Sequence, residues 1–346
     1  MIATAQVQRS TLAVPEMLAP ILPEMQAVEA FLEAQANTAI PQFSELTRHL
    51  LSAGGKRLRP AMVILCAYAA APERFGELYR DGRRGRERLA TIAGCMEMIH
   101  MATLIHDDVI DQTFVRRGKP TANALYGNLA TVLSGDFILA RAMRALALDG
   151  DLRVIQKVAH ITTDMSEGEV AEVFLRHRLD ISEAEYLEII RRKTAEFLAG
   201  CCQIGGYLVD ANEATLQTLE QFGREVGIAF QIVDDLLDYV GDPRLTGKPN
   251  GTDFREGFAT LPLLHYYRLA PETERERLRV EFGTDISEER FHYWREQIRL
   301  TGSLNYAEAV AERYRQSALE RLRQLPDSPI RRTLEEVAQF ITERKY

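Results

Sequence analysis

Two groups of three aspartates in this chain share one spacing, an adjacent pair followed three positions later by a third. The groups are Asp107, Asp108 and Asp111, and Asp234, Asp235 and Asp238. Each group lies in an apolar stretch that is typical of a buried helix, MIHMATLIHDDVID or GIAFQIVDDLLD. Residues four apart share one face of a helix and are about 6 Å apart along its axis, so the first and last aspartate of each group should point the same way.

Carboxylates at this spacing repel each other and are costly to bury, so a cation is expected between them. Carboxylate oxygens that are offered one or two at a time suit Mg²⁺, which keeps several waters and is usually completed by phosphate oxygens of a substrate. The two groups therefore predict two helices that hold one diphosphate through Mg²⁺. A single acidic triplet is usually a solvated surface, but two that both follow apolar helical sequence argue against that alternative.

A diphosphate site also needs positively charged side chains. Lys56 and Arg59 lie three apart in GGKRLRP, at the start of a helical pattern where backbone N–H groups also favour anions. Arg116 and Arg117 come shortly after the first aspartate group. Arginine matches phosphate oxygens with a planar fork, whereas lysine acts as a movable point charge. Taken singly, Lys56 and Arg59, and equally Lys193, could be part of an ordinary solvated helix end.

Two further basic segments lie later in the chain. Lys193 and Thr194 end the amphipathic run YLEIIRRKT. Lys248 lies in GKPNGTD, a Gly- and Pro-rich stretch after the second aspartate group that suits a loop covering phosphate. His100 and His106 lie on the first aspartate helix, where we expect core or supporting histidines rather than zinc ligands, because no cysteine lies at ligand spacing.

The elements that must position these residues are predicted to be helices. From Pro15 onward the apolar residues recur at three- and four-residue spacing, which indicates an almost entirely helical chain of roughly ten to a dozen helices. Ser182, Ser287 and Ser328 are placed to cap three of them. The Arg- and Gly-rich residues 73–88 are predicted to form a solvated loop.

Composition sets further limits. The chain has 42 Lys plus Arg and 50 Asp plus Glu, a net charge of −8, which argues against a general nucleic-acid binder. Its four cysteines lack the spacing of a metal or redox motif, and no run of 18 apolar residues predicts a membrane span. We expect a cytoplasmic protein with one helical domain, residues 16–346, after a flexible arm, residues 1–15.

The chain resembles the trans-isoprenyl diphosphate synthases, also called polyprenyl synthetases, from about Leu32 to its C-terminus. The motifs that carry the resemblance are GGKRLRP, LIHDDVIDQTFVRRGKPT, GNLATVLSGDFILARA, SEGEV, RRKTAEF, GIAFQIVDDLLD, GKPNGTD and ATLPLL. The resemblance implies an all-α, single-domain bundle around a deep central cavity, with the two aspartate groups facing each other at its mouth. It also implies a homodimer.

A role for each candidate residue is implied in the same way. Direct ligands of three Mg²⁺ ions would be Asp107, Asp111 and Asp234. Further ligands or supports would be Asp108, Asp235 and Asp238. The allylic diphosphate would be bound by Arg116, Lys193, Thr194, Gln231 and Lys248. Isopentenyl diphosphate would be bound by Lys56, Arg59, His100 and Arg117.

The implied chemistry is a condensation of these two substrates. With the charge of the diphosphate neutralised by Mg²⁺, Lys193 and the other cations, the allylic C–O bond ionises and the diphosphate leaves with the electron pair. The terminal carbon of isopentenyl diphosphate then bonds to the cation, and a proton passes to the departing diphosphate. The product is an all-trans allylic diphosphate one C5 unit longer.

Two residues depart from the usual pattern of the family. Glu172 stands three positions after Glu169 where a glutamine is common, and this adds a carboxylate near the metals. Phe258 stands where a basic residue is common, and this removes one phosphate contact. Neither change touches the aspartate groups, so an active enzyme is still expected.

Product length is predicted from residues before Asp107, since the resemblance places the growing tail along that helix. Ala102 and Thr103 are too small to close the channel, and one isoprene unit is about as long as one helical turn, roughly 5 Å. A long product of C30 to C50 is therefore expected. The alternatives are a shorter C15 to C20 product, a non-catalytic subunit of a heteromeric synthase, and a terpene cyclase, which would not need the isopentenyl site.

Overall fold

The computed structural model of the chain describes residues 16–51, 56–74, 83–116, 119–241 and 250–342. Most of these residues are helical, as the sequence predicts. The fifteen α-helices are α1 Leu22–Gln35, α2 Pro41–Leu51, α3 Leu58–Ala70, α4 Arg83–Ile110, α5 Ala122–Asp149, α6 Leu152–Leu175, α7 Glu183–Ile190, α8 Glu196–Tyr207, α9 Glu213–Val240, α10 Thr252–Glu256, α11 Leu261–Leu269, α12 Glu272–Glu281, α13 Glu288–Leu300, α14 Ser303–Leu322 and α15 Pro329–Thr342.

Shorter elements complete the described chain. Two 3₁₀ helices span Glu16–Ile21 and Pro72–Arg74, and a π-helical turn, Arg191–Ala195, joins α7 to α8. Strands β1, Val115–Arg116, and β2, Lys119–Pro120, pair antiparallel directly after α4. The described α-helices outnumber the predicted ten to a dozen in part because the π-helical turn divides one helix into α7 and α8. In addition, α10 is only five residues long, too short to show in apolar periodicity.

Buried apolar side chains form two clusters that meet on α9. The larger cluster is built mainly from α1, α3, α4 and α8, and α9 contributes Leu219 and Phe222 to it. The smaller cluster surrounds the fully buried Trp294, and α9 contributes Ile232 and Tyr239 to it. The second aspartate group therefore lies on the half of α9 that packs against the smaller cluster. The first group lies on α4, which packs along α5 and against α1 and α3.

Helix α4 has the length and composition of a membrane span from Gly85 to Ile110, but 72% of its apolar window is buried inside the protein. Burial on several sides is expected for the central helix of a bundle, which is hydrophobic around most of its circumference. The apolar character of α4 therefore has an explanation in the packing of the fold.

The three predicted serine caps are confirmed. Ser182 forms a capping box with Glu185, and the Ser287 and Ser328 hydroxyls accept hydrogen bonds from backbone N–H groups three residues later. The prediction of a loop over residues 73–88 is wrong at its end, because α4 begins at Arg83. The Arg88 guanidinium accounts for this, since it donates to Asp149 at 2.7 Å and to Asp151 at 2.9 Å. The predicted arm, residues 1–15, lies outside the described residues.

Candidate active site

The first aspartate group lies where α4 ends. Asp107 and Asp108 belong to its last turn, and Asp111 follows the helix but still donates its backbone N–H to the Asp107 carbonyl at 2.8 Å. The Asp108 carboxylate is buried and accepts a hydrogen bond of 2.8 Å from Nε of Arg116 in β1. The hairpin that follows α4 thus places Arg116, a predicted phosphate ligand, against this group.

Asp107 is half-buried beside other charges. Burial raises the pKa of its carboxyl to about 7, and repulsion from Glu169 and Asp111 adds to the rise, while Lys193 and Arg116 oppose it. A further cation near this carboxyl would stabilise its charged form. The first group is therefore under-neutralised by the cations that surround it.

The second aspartate group lies on α9 in a more buried setting. Asp234 is exposed, but Asp235 is 6% exposed and accepts hydrogen bonds from the Tyr186 hydroxyl at 2.6 Å and the Gln231 amide at 2.8 Å. Burial raises the pKa of Asp235, and the two hydrogen bonds oppose the rise. The Gln231 oxygen in turn accepts from the Thr194 hydroxyl at 3.0 Å. Thr194 and Gln231, both predicted phosphate ligands, are thus neighbours of each other and of Asp235.

Asp238 has a different contact. Its carboxylate oxygens accept the backbone N–H groups of Thr252 and Asp253 at 3.0 and 3.2 Å, so it caps the N-terminus of α10. Gly251, the N-cap residue directly before this helix, has a φ of 79°, in the left-handed region that favours glycine. Asp253 is a fourth carboxylate of this cluster that the sequence analysis did not assign, and burial and Asp238 raise its pKa.

Lys193 lies in the π-helical turn and reaches the carboxylates of α6. Its Nζ is 3.0 Å from Glu169 and 2.5 Å from Glu172. Burial lowers the pKa of Lys193, but the two carboxylates outweigh it, so the pKa is raised. Gly168 makes the approach possible, because a Cβ at this position would lie 2.7 Å from the backbone nitrogen of Lys193.

Glu172 connects the two aspartate groups. Its pKa is raised first by burial and also by the charges of Glu169 and Asp111, and its own charge raises the pKa of Asp235. Glu172 stands where a glutamine is common, and the charge of this additional carboxylate is balanced by Lys193. The charge of Lys193 also lowers the pKa of Asp107. One continuous set of charged side chains from α4, α6, α9 and the π-helical turn thus contains both groups.

The described carboxylates do not by themselves form a complete cage for a metal ion. Within the described ranges, no three carboxylate, histidine or cysteine groups come close enough to hold a metal ion alone. Mg²⁺ usually takes only one or two carboxylates from the protein and completes its shell with waters and substrate phosphates. Burial raises the pKa of Asp107, so a cation nearby would stabilise the charged form of this carboxyl.

Three of the residues predicted to bind the second diphosphate, Lys56, Arg59 and His100, lie on or directly before α3 and α4. Lys56 Nζ lies 4.6 Å from the centre of the Phe340 ring of α15, an arrangement that a cation–π contact stabilises. The His100 ring centre is 6.0 Å from that of Phe197 in α8, and Arg59 is half-buried on α3. Arg117 and Lys248 lie outside the described residues.

Arg57 was missed by the sequence analysis, although it lies between the two predicted cations. It has a left-handed φ of 50° and is 6% exposed. Its guanidinium binds Glu29 at 2.7 Å and Glu97 at 3.1 Å, and it donates to the Leu51 carbonyl at 2.9 Å. Arg57 therefore joins α1, α2 and α4. No local signal separates such a buried arginine from its two neighbours in GGKRLRP.

The two predicted length-determining residues are not equivalent. Ala102 is 2% exposed within the larger apolar cluster. Thr103 is half-buried, and its hydroxyl donates to the His100 carbonyl at 2.8 Å. Thr103 and Asp107 are four apart and share a helical face, together with His100. Phe258 is the second residue that departs from the family pattern. The Arg176 guanidinium lies over its ring, 4.9 Å from the ring centre.

Comparison with known proteins agrees with these features. The polyprenyl synthetase family model matches residues 40–297. The chain is 35% identical over 321 residues to the octaprenyl diphosphate synthase of Escherichia coli K12, covering 93% of this chain and 96% of that protein. It is 36% identical over 324 residues to the heptaprenyl diphosphate synthase component 2 of Geobacillus stearothermophilus, with the same two coverages, 93% and 96%.

Solved structures show the same fold. A polyprenyl synthase from Caulobacter crescentus CB15, complexed with calcium and isoprenyl diphosphate, superimposes with a TM-score of 0.87. Its sequence is 34% identical, and the match covers 98% of this chain and all of that one.

Proposed function

The chain belongs to the polyprenyl synthetase family, and from this premise we propose that it is an all-trans polyprenyl diphosphate synthase, a prenyltransferase that adds C5 units from isopentenyl diphosphate to an allylic diphosphate. The observation that carries the proposal is the position of Lys193, which pairs with Glu169 and Glu172 between the two aspartate groups. That arrangement gathers carboxylates for a metal and a cation for phosphate in one place.

We assign the allylic diphosphate to the side of Lys193 and isopentenyl diphosphate to the side of α3. The allylic side comprises Arg116, Lys193, Thr194, Gln231 and Lys248. The isopentenyl side comprises Lys56, Arg59, His100 and Arg117. The proximity of Thr194 and Gln231 supports the first assignment, and the short sequence distance between Lys56 and Arg59 supports the second.

Asp107, Asp111 and Asp234 would hold about three Mg²⁺ ions together with the diphosphate oxygens. Asp108, Asp235 and Asp238 would support them, since each already accepts a hydrogen bond within the protein. When bound, Mg²⁺ supplies electrostatic stabilisation of the charge that develops on the leaving diphosphate. The calcium complex of the Caulobacter crescentus enzyme supports a divalent cation in such a site.

The chain's own residues have three tasks in this reaction. Lys193 and Arg116 bind and orient the allylic diphosphate, so that its C–O bond breaks toward positive charge. Lys56 and Arg59 hold isopentenyl diphosphate with its double bond beside the allylic carbon. The apolar residues of α4 that precede Asp107 keep water away from the cation.

We propose a product of C30 to C50, with the tail running along α4 into a deep cavity. The small side chains Ala102 and Thr103 support this length, and so do the octaprenyl and heptaprenyl names of the relatives. Thr103 is the stronger candidate to touch the tail, because it is half-buried and shares the face of Asp107.

We also propose a homodimer in the cytoplasm, formed through α5. Leu129 and Leu133 lie four residues apart on this helix, after the kink at Gly127, and are 78% and 55% exposed. Leu125 precedes the kink and is 51% exposed. An exposed apolar stripe of this kind marks an interaction surface in a soluble protein. Light scattering of the purified chain, with Leu129→Glu as the variant expected to yield monomers, tests the assignment.

A second candidate function is that of one subunit of a heteromeric synthase. The observation in its favour is the relative named heptaprenyl diphosphate synthase component 2. Both candidates are tested by incubating the purified chain with farnesyl diphosphate, labelled isopentenyl diphosphate and Mg²⁺, and sizing the dephosphorylated product. Elongation to C30 or beyond supports the homomeric enzyme, whereas a folded chain that elongates nothing until a second subunit is added supports the other candidate.

A further inference from the structure

Helix α7 carries a buried hydroxyl with no assigned part in the reaction. Tyr186 is 4% exposed, and its hydroxyl donates a hydrogen bond of 2.6 Å to Oδ2 of Asp235. Oδ1 of the same carboxylate accepts from the Gln231 amide at 2.8 Å. Because Asp235 is itself 6% exposed, side chains of the protein, rather than water, fix the orientation of its carboxylate.

These hydrogen bonds link three elements of the site. Tyr186 belongs to α7, Thr194 to the π-helical turn, and Gln231 and Asp235 to α9. Thr194 donates to Gln231, Gln231 donates to Asp235, and Tyr186 donates to Asp235 from the opposite side. A displacement of the Asp235 carboxylate would therefore change the second aspartate group and the turn that carries Lys193 together.

We propose that Tyr186 is a positioning residue for the metal-dependent binding of the allylic diphosphate. Its hydroxyl anchors Asp235, and the anchored turn of α9 keeps the adjacent Asp234 directed toward the bound cation. The inference rests on the proposed function of the site. Partners that hold the carboxylates of metal sites typically change metal affinity or activity by about 10- to 100-fold when they are removed.

The test compares Tyr186→Phe with Tyr68→Phe. Tyr68 is also fully buried and also donates to a carboxylate, that of Glu24, at 2.8 Å, but this pair joins α3 to α1 within the larger core. Both substitutions remove one buried hydroxyl from one carboxylate. The first readout needs no turnover: it is the rise in Tm that Mg²⁺ with inorganic diphosphate produces in each folded protein, titrated against Mg²⁺.

We expect the Mg²⁺ concentration at half-maximal Tm rise to increase at least about tenfold in Tyr186→Phe and to stay unchanged in Tyr68→Phe. In steady-state assays, the Mg²⁺ requirement and the KM for the allylic substrate should increase, while the KM for isopentenyl diphosphate stays unchanged. An unchanged Mg²⁺ titration in Tyr186→Phe, or an equal shift in Tyr68→Phe, overturns the inference. If the wild-type protein itself shows no Tm rise, the proposed function fails instead.

A double-mutant cycle covers the case in which Tyr186→Phe folds poorly. Asp235→Ala removes the acceptor carboxylate, and the loss of both partners of a buried hydrogen bond costs less than leaving one of them unpaired. If Tyr186 acts through Asp235, adding Tyr186→Phe to Asp235→Ala should leave the Mg²⁺ titration unchanged. Additive shifts from the two substitutions would contradict the mechanism.

Discussion

In the first aspartate group the buried carboxylate of Asp108 is paired with a cation, Arg116, whereas in the second group the equivalent Asp235 accepts hydrogen bonds from two uncharged side chains. The two groups thus share one spacing, but their buried carboxylates are stabilised by different kinds of partner. A cation supplies countercharge to the first group and is itself near the proposed substrate. Uncharged donors satisfy the second carboxylate without adding positive charge, so neutralisation of that group depends more on bound metal.

The comparison predicts that Asp107 and Asp234, the first aspartate of each group, are equally essential. Asp107→Ala and Asp234→Ala should each lower turnover by at least about a thousandfold, because each removes a ligand that stabilises the leaving diphosphate. Asp285→Ala, at an exposed position between α12 and α13, serves as the matched control. Circular dichroism should show that all three proteins fold, and near-normal turnover in either site variant would remove the basis for pairing the groups.

The second prediction separates the two substrates. Lys193→Ala should raise the KM for the allylic substrate by roughly tenfold or more, on the scale of a lost hydrogen bond to a charged group. Lys56→Ala should instead raise the KM for isopentenyl diphosphate, so each variant is the control for the other. Steady-state kinetics with each substrate varied in turn measures the difference, and identical effects on both substrates would mean that the division of the site is wrong.

The third prediction concerns the helix face in front of the first group. Ala102→Phe should shorten the main product to about C15 or C20, because a ring there would fill the channel within about one turn of the metals. Thr103→Phe should shorten it at least as much, since Thr103 is half-buried on the face of Asp107. Product sizing provides the measurement. If both variants are folded and active yet make the wild-type product, the tail does not follow α4.

The fourth prediction, which has the smallest expected effect, concerns the partners of the two buried carboxylates, Asp108 and Asp235. Asp108→Asn breaks a partly buried ion pair and should lower the free energy of unfolding by about 1 kcal/mol. Asp235→Asn removes a buried charge held by uncharged donors and should cost less, since an amide still accepts one of the two bonds. Chemical denaturation of the metal-free proteins measures both values. A larger loss from Asp235→Asn would reverse the comparison.

Local pattern predicted most of this fold but only part of the site. Apolar periodicity and capping serines are properties of neighbouring residues, so the helices and three of their starts could be read from the sequence. The partners of Asp108 and Asp235 differ in kind, and Tyr186 is 49 residues from Asp235 in the chain. Periodicity carries no information about such pairings. For the same reason Arg57, 40 residues from Glu97, could not be separated from Lys56 and Arg59.

Helices α7 and α8 would form one uninterrupted helix without the π-helical turn at Arg191–Ala195. A π turn accommodates one more residue than an α turn, and each residue of an α-helix advances the side chains by about 100°. Deleting one residue from this segment should therefore leave an ordinary α turn between α7 and α8 and change the direction of the side chains inside it, above all those of Lys193 and Thr194. The contacts of Lys193 with Glu169 and Glu172 should then be lost. The site thus depends on the number of residues in this segment as well as on their identity.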